Sequence, residues 1–270
     1  MPLRVEHPAT FPEIVEIIED LRKKADSTLW YRGCGQADHK LVPSLFRHPK
    51  TKTVPEIAAL ETQLLTRFRQ RSIPFHDRPL KDDWDALFFM QHYGVPTRLL
   101  DWSENPFVSL FFTVTAASYK LTAKGTQKFT APAALWVLNP VQWNRHSLKH
   151  QGFEGGILTP DDEALNAYRP APSYTGMNNH PVALYGAHNS ARIVAQRGVF
   201  TIFGKNPAPM DKIFVSEGFP PESLLKIELG RNAIKRIKNS ILGHGITESV
   251  IQPDLAGLAR EIRRTFEFEV

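Results

Sequence analysis

The sequence predicts an α+β fold in a single domain, and three observations predict it. Apolar residues recur at helical spacing through most of the first half of the chain, whereas short β-prone runs crowd the second half. The length, 270 residues, suits one large domain or two small ones. A hydrophobic content of 42% with 10% aromatic residues is enough to fill a sizeable core. No internal repeat and no low-complexity tract interrupts the pattern, so residues 1–270 read as one unit.

The elements follow in order. Thr10 and Glu13 form a capping box ahead of Phe11, Ile14, Val15, Ile18 and Leu21, which predicts a helix over 11–24. Thr28–Arg32 is a short strand ending in the loop Gly33-Cys34-Gly35, where backbone can approach a ligand closely. Ile57, Leu60, Leu64, Leu65 and Phe68 share one side of a helix over 55–71. Asp82 or Asp83 caps a third helix, Gly94 ends it, and Pro96 keeps Val95 extended. Thr97–Trp102 is then a short strand or tight loop. Ser103 or Asn105 caps a fourth helix with Pro106 near its first position, and residues 107–117 are apolar nearly all round, as in a buried helix. Ala133–Leu138 is a strand. Residues 144–190 lack periodicity, and an irregular stretch of that length is usually functional, mobile or both. Further strands are predicted at Arg192–Ala195, Val199–Phe203, Lys212–Val215, Leu224–Glu228 and Ile246–Ile251. A helix spans about 231–242 and stops at Gly243, and Asp254 caps a last one reaching about Thr265.

Composition narrows the function. The net charge of +5 is mild and permits an anionic partner without demanding one. The dense basic run Arg231–Lys238 (RNAIKRIK) reads as the solvated face of a helix or as a phosphate-contacting patch. No apolar run reaches membrane-spanning length, and the N-terminus is acidic where a signal peptide would be basic, so a soluble cytoplasmic protein is expected. A single cysteine, Cys34, makes no internal disulfide and no cysteine-built zinc site, and reads as an inert thiol. The histidines show neither HxH nor HExxH spacing, so no metal is expected. Neither a phosphate-binding GxxxxGK[ST] loop nor GxGxxG is present, and Ser103 lacks the GxSxG setting of a hydrolase.

The chemistry-bearing residues concentrate in "FFMQHYGVPTRLLDWSENPFVSLFF", residues 88–112, where two apolar runs flank a polar core. That core is expected to fold back toward Tyr31-Arg32-Gly33 and line one cleft with it, because crowded polar groups need shared partners. Arg32, at a strand end, can pair bidentately with a carboxylate or phosphate of a ligand, or with an acidic neighbour. His92 reads three ways: against a helix C-terminus, as a satisfied core histidine, or in a site. Arg98 and Asp101 straddle Leu99-Leu100 and read as an internal ion pair, with Asp101 structural, holding Arg98 or capping the following helix. Gln196 sits at a strand-turn-strand junction, where its amide suits a ligand amide, a ribose hydroxyl or a backbone bulge.

These residues carry a resemblance. "LWYRGCGQADHKLVPSLFR" resembles the opening motif of the FRG domain family, named for Phe-Arg-Gly, with Tyr31 in place of the Phe. "QHYGVPTRLLDWSENPFVSLFF" is similar to that family's central signature, and "RIVAQRGVFTIFG" and "GITESVIQPDLAGLAREIR" to its later segments, so the resemblance runs from about 27 to 265, behind an N-terminal helix over 1–26. The family occurs in bacteria and phages. A looser resemblance is to the ADP-ribosyltransferase fold, a split α+β sheet. It implies that Arg32, Ser103 and Gln196 hold the three catalytic motif positions, with Gln196 where an acidic residue is usual. It also implies that Tyr31, Arg32, Gly33, His92, Tyr93 and Trp102 bind the cofactor NAD, consumed as substrate. The activity so implied is an NAD-dependent transferase, passing ADP-ribose to a nucleic acid or protein acceptor, as in a toxin or antiphage effector. Two other readings stand beside it: a nucleotide- or nucleic-acid-binding module without turnover, and a purely structural network of Arg32, His92, Arg98 and Asp101.

Overall fold

Strands from both halves of the chain meet in one mixed sheet. The computed structural model describes residues 2–25, 27–51, 53–75, 79–123, 125–187 and 190–268. Its strands are β1 (Arg4–Glu6), β2 (Trp30–Cys34), β3 (Leu99–Ser103), β4 (Tyr119–Leu121), β5 (Gln127–Phe129), β6 (Ala133–Leu138), β7 (Val182–Leu184), β8 (Gly198–Ile202) and β9 (Leu224–Leu229). Its α-helices are α1 (Phe11–Lys24), α2 (Val54–Ser72), α3 (Asp83–His92), α4 (Pro106–Thr115), α5 (Pro140–Ser147), α6 (Ala191–Gln196), α7 (Met210–Ser216), α8 (Arg231–Gly243), α9 (Glu248–Ile251) and α10 (Leu255–Thr265). Seven strands form a sheet in the order β1-β9-β6-β2-β3-β8-β7, and β4 and β5 form a separate hairpin. Among the described strands only β1 runs parallel to its neighbour, β9. The fold is therefore α+β.

Side chains alternate across a sheet, so register decides which core each residue enters. Tyr31, Leu135, Val137 and Ile227 pack with Ile14 and Ile18 of α1, Val108 and Phe111 of α4, and Ile234 and Ile237 of α8. Trp30, Trp136, Leu100 and Trp102 face the other way, toward Trp143 of α5 and Ile213 and Phe214 of α7. A third core joins Leu99, Phe200 and Ile202 to Trp84, Leu87 and Phe88 of α3. Because Tyr31 pairs with Ser103, Leu99 shares a face with Tyr31. The first and third cores thus lie side by side on one face, with their junction between β2 and β3.

Three expected strands are helices instead. In α6 the Ser190 hydroxyl caps the helix by accepting from the Ile193 amide, and Ile193 is the residue it buries. In α7, Met210, Ile213 and Phe214 are the buried residues, which is helical spacing. In α9 only Ile251 is buried, and Val250 is exposed. Helix α5, which opens the stretch read as irregular, starts where the Asn139 side chain accepts from the Gln142 amide ahead of Pro140. β1, β4, β5 and β7, three residues each, carry no periodicity that a sequence can display.

The expected Arg98–Asp101 pair does not form. Arg98 is wholly buried and its Nε donates to Glu61 Oε1 at 2.8 Å. Its Nη2 donates to the Tyr168 carbonyl at 2.6 Å and its Nη1 to the Phe203 carbonyl. The guanidinium also lies 5.0 Å from the centre of the Tyr174 ring, whose hydroxyl donates to the second oxygen of Glu61 at 2.6 Å. Burial works against the charge on Arg98, but Glu61 and Tyr174 together more than offset it, and the guanidinium holds its proton more firmly than usual.

Two outcomes follow for stability. Glu61→Gln leaves the Arg98 charge buried without its counter-ion and is expected to cost about 3–5 kcal/mol in urea denaturation, whereas Glu16→Gln on the exposed side of α1 stays within about 0.5 kcal/mol. Separately, burial holds His146 and His180 below the ordinary imidazole value of 6.5. Both are neutral when folded and take up protons more readily when unfolded, so their contribution is present above 6.5 and is lost as pH falls toward the folded values. His180→Asn is expected to flatten the fall in melting temperature between about pH 7 and about pH 5.

Candidate functional site: a cleft where two strands part

β2 has unequal neighbours. It pairs with β6 at five positions, from Trp30 opposite Leu138 to Cys34 opposite Ala134, but with β3 only where Tyr31 meets Ser103. Beyond that position the ladder ends. The Arg32 guanidinium enters the gap, its Nη1 donating to the Asp101 carbonyl of β3, so a side chain satisfies a group that a ladder would have paired. β2 is held instead by α4. The Ser109 hydroxyl donates to the Tyr31 carbonyl at 2.9 Å, and Thr113 Oγ1 reaches the Ala134 carbonyl of β6 at 3.3 Å. A Cβ on Gly33 would overlap the Ser109 carbonyl and Thr113, and one on Gly35 would overlap the Ala116 carbonyl. Gly33 lies inside β2, and both glycines serve helix packing where the sequence suggested a ligand loop.

The gap opens into a cleft of about 340 Å³. Its floor carries Asp101, whose Oδ2 accepts from Gln91 Nε2 at 2.6 Å and lies 4.0 Å from Arg32 Nη1. Gln91 is fixed in turn, accepting from Thr97 Oγ1 at 2.6 Å. Asp101 therefore neither holds Arg98 nor caps α4: Asn105 caps that helix, its Oδ1 accepting from the Phe107 and Val108 amides at 2.9 and 3.4 Å. Ser103 Oγ donates to the Gln196 carbonyl at 2.6 Å and accepts from the Asn105 amide at 2.9 Å. Gln196 ends α6 rather than bridging two strands, and its side-chain amide donates to the Ile251 carbonyl at 3.2 Å. His92, the last residue of α3, lies 3.5 Å from the Ser190 hydroxyl; burial first, and then the charge of Arg192, hold its pKa below the ordinary value.

Tyr31, Arg32, Gly33, His92, Trp102, Ser103 and Gln196 all border this cleft. Tyr93 does not: it is 67% exposed and lines a different hollow with Phe68, Phe75 and Phe89. Two of the bordering residues turn their rings away. Tyr31 is 1% exposed in the first core, where burial pushes its hydroxyl pKa up to about 12. The Trp102 indole is 3% exposed on the opposite face and donates to Thr201 Oγ1 at 3.1 Å. Arg32, a quarter exposed, Asp101, over half exposed, and Arg192 supply the charge, while Val108, Phe112 and Ile193 give an apolar wall. Gln91 stood in the quoted motif without a role, and Arg192 carried no sequence signal because its segment read as a strand.

Residues 27–121 match the model of the FRG domain family. The matched segment holds β2, β3, α3 and α4, and with them Arg32, Gln91, Asp101 and Ser103. Arg192 and Gln196 lie outside it, as do the later segments whose resemblance the sequence suggested. No curated protein and no solved structure matches the chain. Among the described residues no helix is long and apolar enough to cross a membrane.

Gly33→Ala forces α4 off β2 or shifts β2 itself. It is expected to lower stability by about 1–3 kcal/mol, measured by thermal denaturation, the cost of an overpacked contact.

Proposed function

We propose that the cleft binds NAD in the manner of an ADP-ribosyltransferase and passes ADP-ribose to a nucleic acid or protein acceptor. The observation that carries this reading is the parting of β2 from β3 with Arg32 in the gap. It sets an arginine on one strand, a serine and the start of a helix on the next, and Gln196 beyond, around one hollow. In this reading Arg32, with Arg192 across the cleft, clasps the phosphates. Phe112 and Ile193 shelter a ring. Gln196 offers only a dipole to the positive charge that develops on the ribose as nicotinamide leaves. The negative charge comes from Asp101, the carboxylate on the cleft floor. Such an activity suits a toxin or an antiphage effector.

One observation favours a second reading. The Ser103 hydroxyl and the Gln196 side-chain amide both already bond to the protein's own backbone, which suits a site that recognises a nucleotide without turning it over.

Incubation with labelled NAD separates the two. Arg32→Ala is expected to weaken NAD binding by about 1.5–3 kcal/mol, the worth of a charge-assisted hydrogen bond. Gln196→Ala should leave binding partly intact and lower the rate of nicotinamide release, and Gln196→Glu should raise that rate. A Gln196→Glu protein that binds NAD normally but releases no more nicotinamide than its parent, with or without acceptors, leaves only the binding module.

A further inference from the structure

A second hollow, of about 300 Å³, lies beside the cleft and shares Phe112 with it. The hydrogen bond from Gln196 to the Ile251 carbonyl crosses the rim between them. Its lining brings together Lys238 of α8, Glu248 of α9, and Arg260 and Arg264 of α10, with Phe112 and Tyr119 at the sides. Glu248 is spent on Arg264, which grips it with Nε to Oε1 at 2.8 Å and Nη2 to Oε2 at 2.9 Å. That leaves two cations. Arg260, partly buried, forms no ion pair or hydrogen bond among the described residues. Among the described residues Lys238 has only Gln127 Oε1, at 3.4 Å, as a hydrogen-bond partner.

Lys238 belongs to the basic run that the sequence singles out, and the structure divides that run. Arg231, Lys235 and Arg236 lie on the exposed side of α8, whereas Lys238 faces the hollow. Burial lowers its pKa, which marks an ammonium that has given up hydration without full compensation.

We propose that this hollow is a second binding site, for a phosphate ester held between Lys238 and Arg260. A phosphate monoester carries about 1.5–2 negative charges at neutral pH, close to the two unspent positive charges of the hollow, and its oxygens accept from both a guanidinium and an ammonium. Arg264 shapes the site by holding Glu248 away from the anion. A group bound here lies next to whatever occupies the cleft, yet the site stands whether or not the cleft takes NAD.

The test is calorimetric titration with inorganic pyrophosphate at low ionic strength. Lys238→Gln and Arg260→Gln are each expected to weaken binding about tenfold, with Arg231→Gln, the same charge change on the exposed side of α8, within about twofold of the parent. Arg260 lies on the short helix α10 and serves as the test should Lys238→Gln fail to fold. ADP and a short oligothymidylate then distinguish the source. Tighter binding of the oligothymidylate, lost in both variants, assigns the phosphate to a nucleic-acid backbone; binding of ADP alone, lost likewise, assigns it to a free nucleotide. The proposal is overturned if the parent binds no pyrophosphate, if Arg231→Gln loses as much as the other two, or if Arg32→Ala alone abolishes binding and so places the anion in the cleft.

Discussion

A buried guanidinium governs this structure. Taking Arg98 out of water costs several kcal/mol unless its charge and its donors are all met. The groups that meet them come from far apart: Glu61 is 37 residues before it, Tyr168 is 70 after it and Phe203 is 105 after it. The network is therefore satisfied only when α2, the turns after α5 and the end of β8 have all arrived. It also fixes the start of β3, since the Phe203 amide donates to the Arg98 carbonyl at 3.0 Å. The other end of β3 is held by Ser103, bonded to the Gln196 carbonyl and the Asn105 amide. Asp101 lies between these two anchors, and its side chain is one of the exposed groups on a strand that is otherwise locked in place.

The same economy explains why the cleft forms here. β2 is drawn against α4 by two glycines and the Ser109 hydroxyl, while β3 is drawn toward β8, which pairs with it along its full length. The strands cannot follow both partners and stay paired with each other. The opening is a product of competing attachments, and at its edge Arg32 takes the Asp101 carbonyl that the β2–β3 ladder no longer pairs.

Much of this was legible in the sequence. Thr10 and Asp254 announced their helices, and Asp82 and Asn105 each stood as one of two candidates, because capping is a local interaction between residues a few positions apart. The helices read as strands are α6, α7 and α9, of six, seven and four residues, too short to display a period. The gathering of Arg32, His92 and Ser103 at one cleft was readable from the density of polar residues between two apolar runs. The fate of Arg98 was not. Nothing adjacent to it names Glu61 or Tyr174 as its partners, and a charged residue beside two leucines looks the same whether it rims a core or fills one. Tyr31 and Trp102 were drawn to the site by their neighbours in sequence, but strand alternation sends their rings to the cores.

The pairing of β2 with β6 bears on where this protein can be cut. β6 begins at Ala133, beyond the segment that matches the family model, yet it covers one whole side of β2. A piece ending at residue 121 would carry the signature residues but would bare the backbone of β2 along five consecutive positions and forfeit the Ser103 anchor to Gln196. Such an uncovered edge invites pairing with another molecule. The matched segment is thus an inseparable part of a larger sheet, and shuffling it between proteins as a cassette would require the receiving chain to bring a β6 of its own.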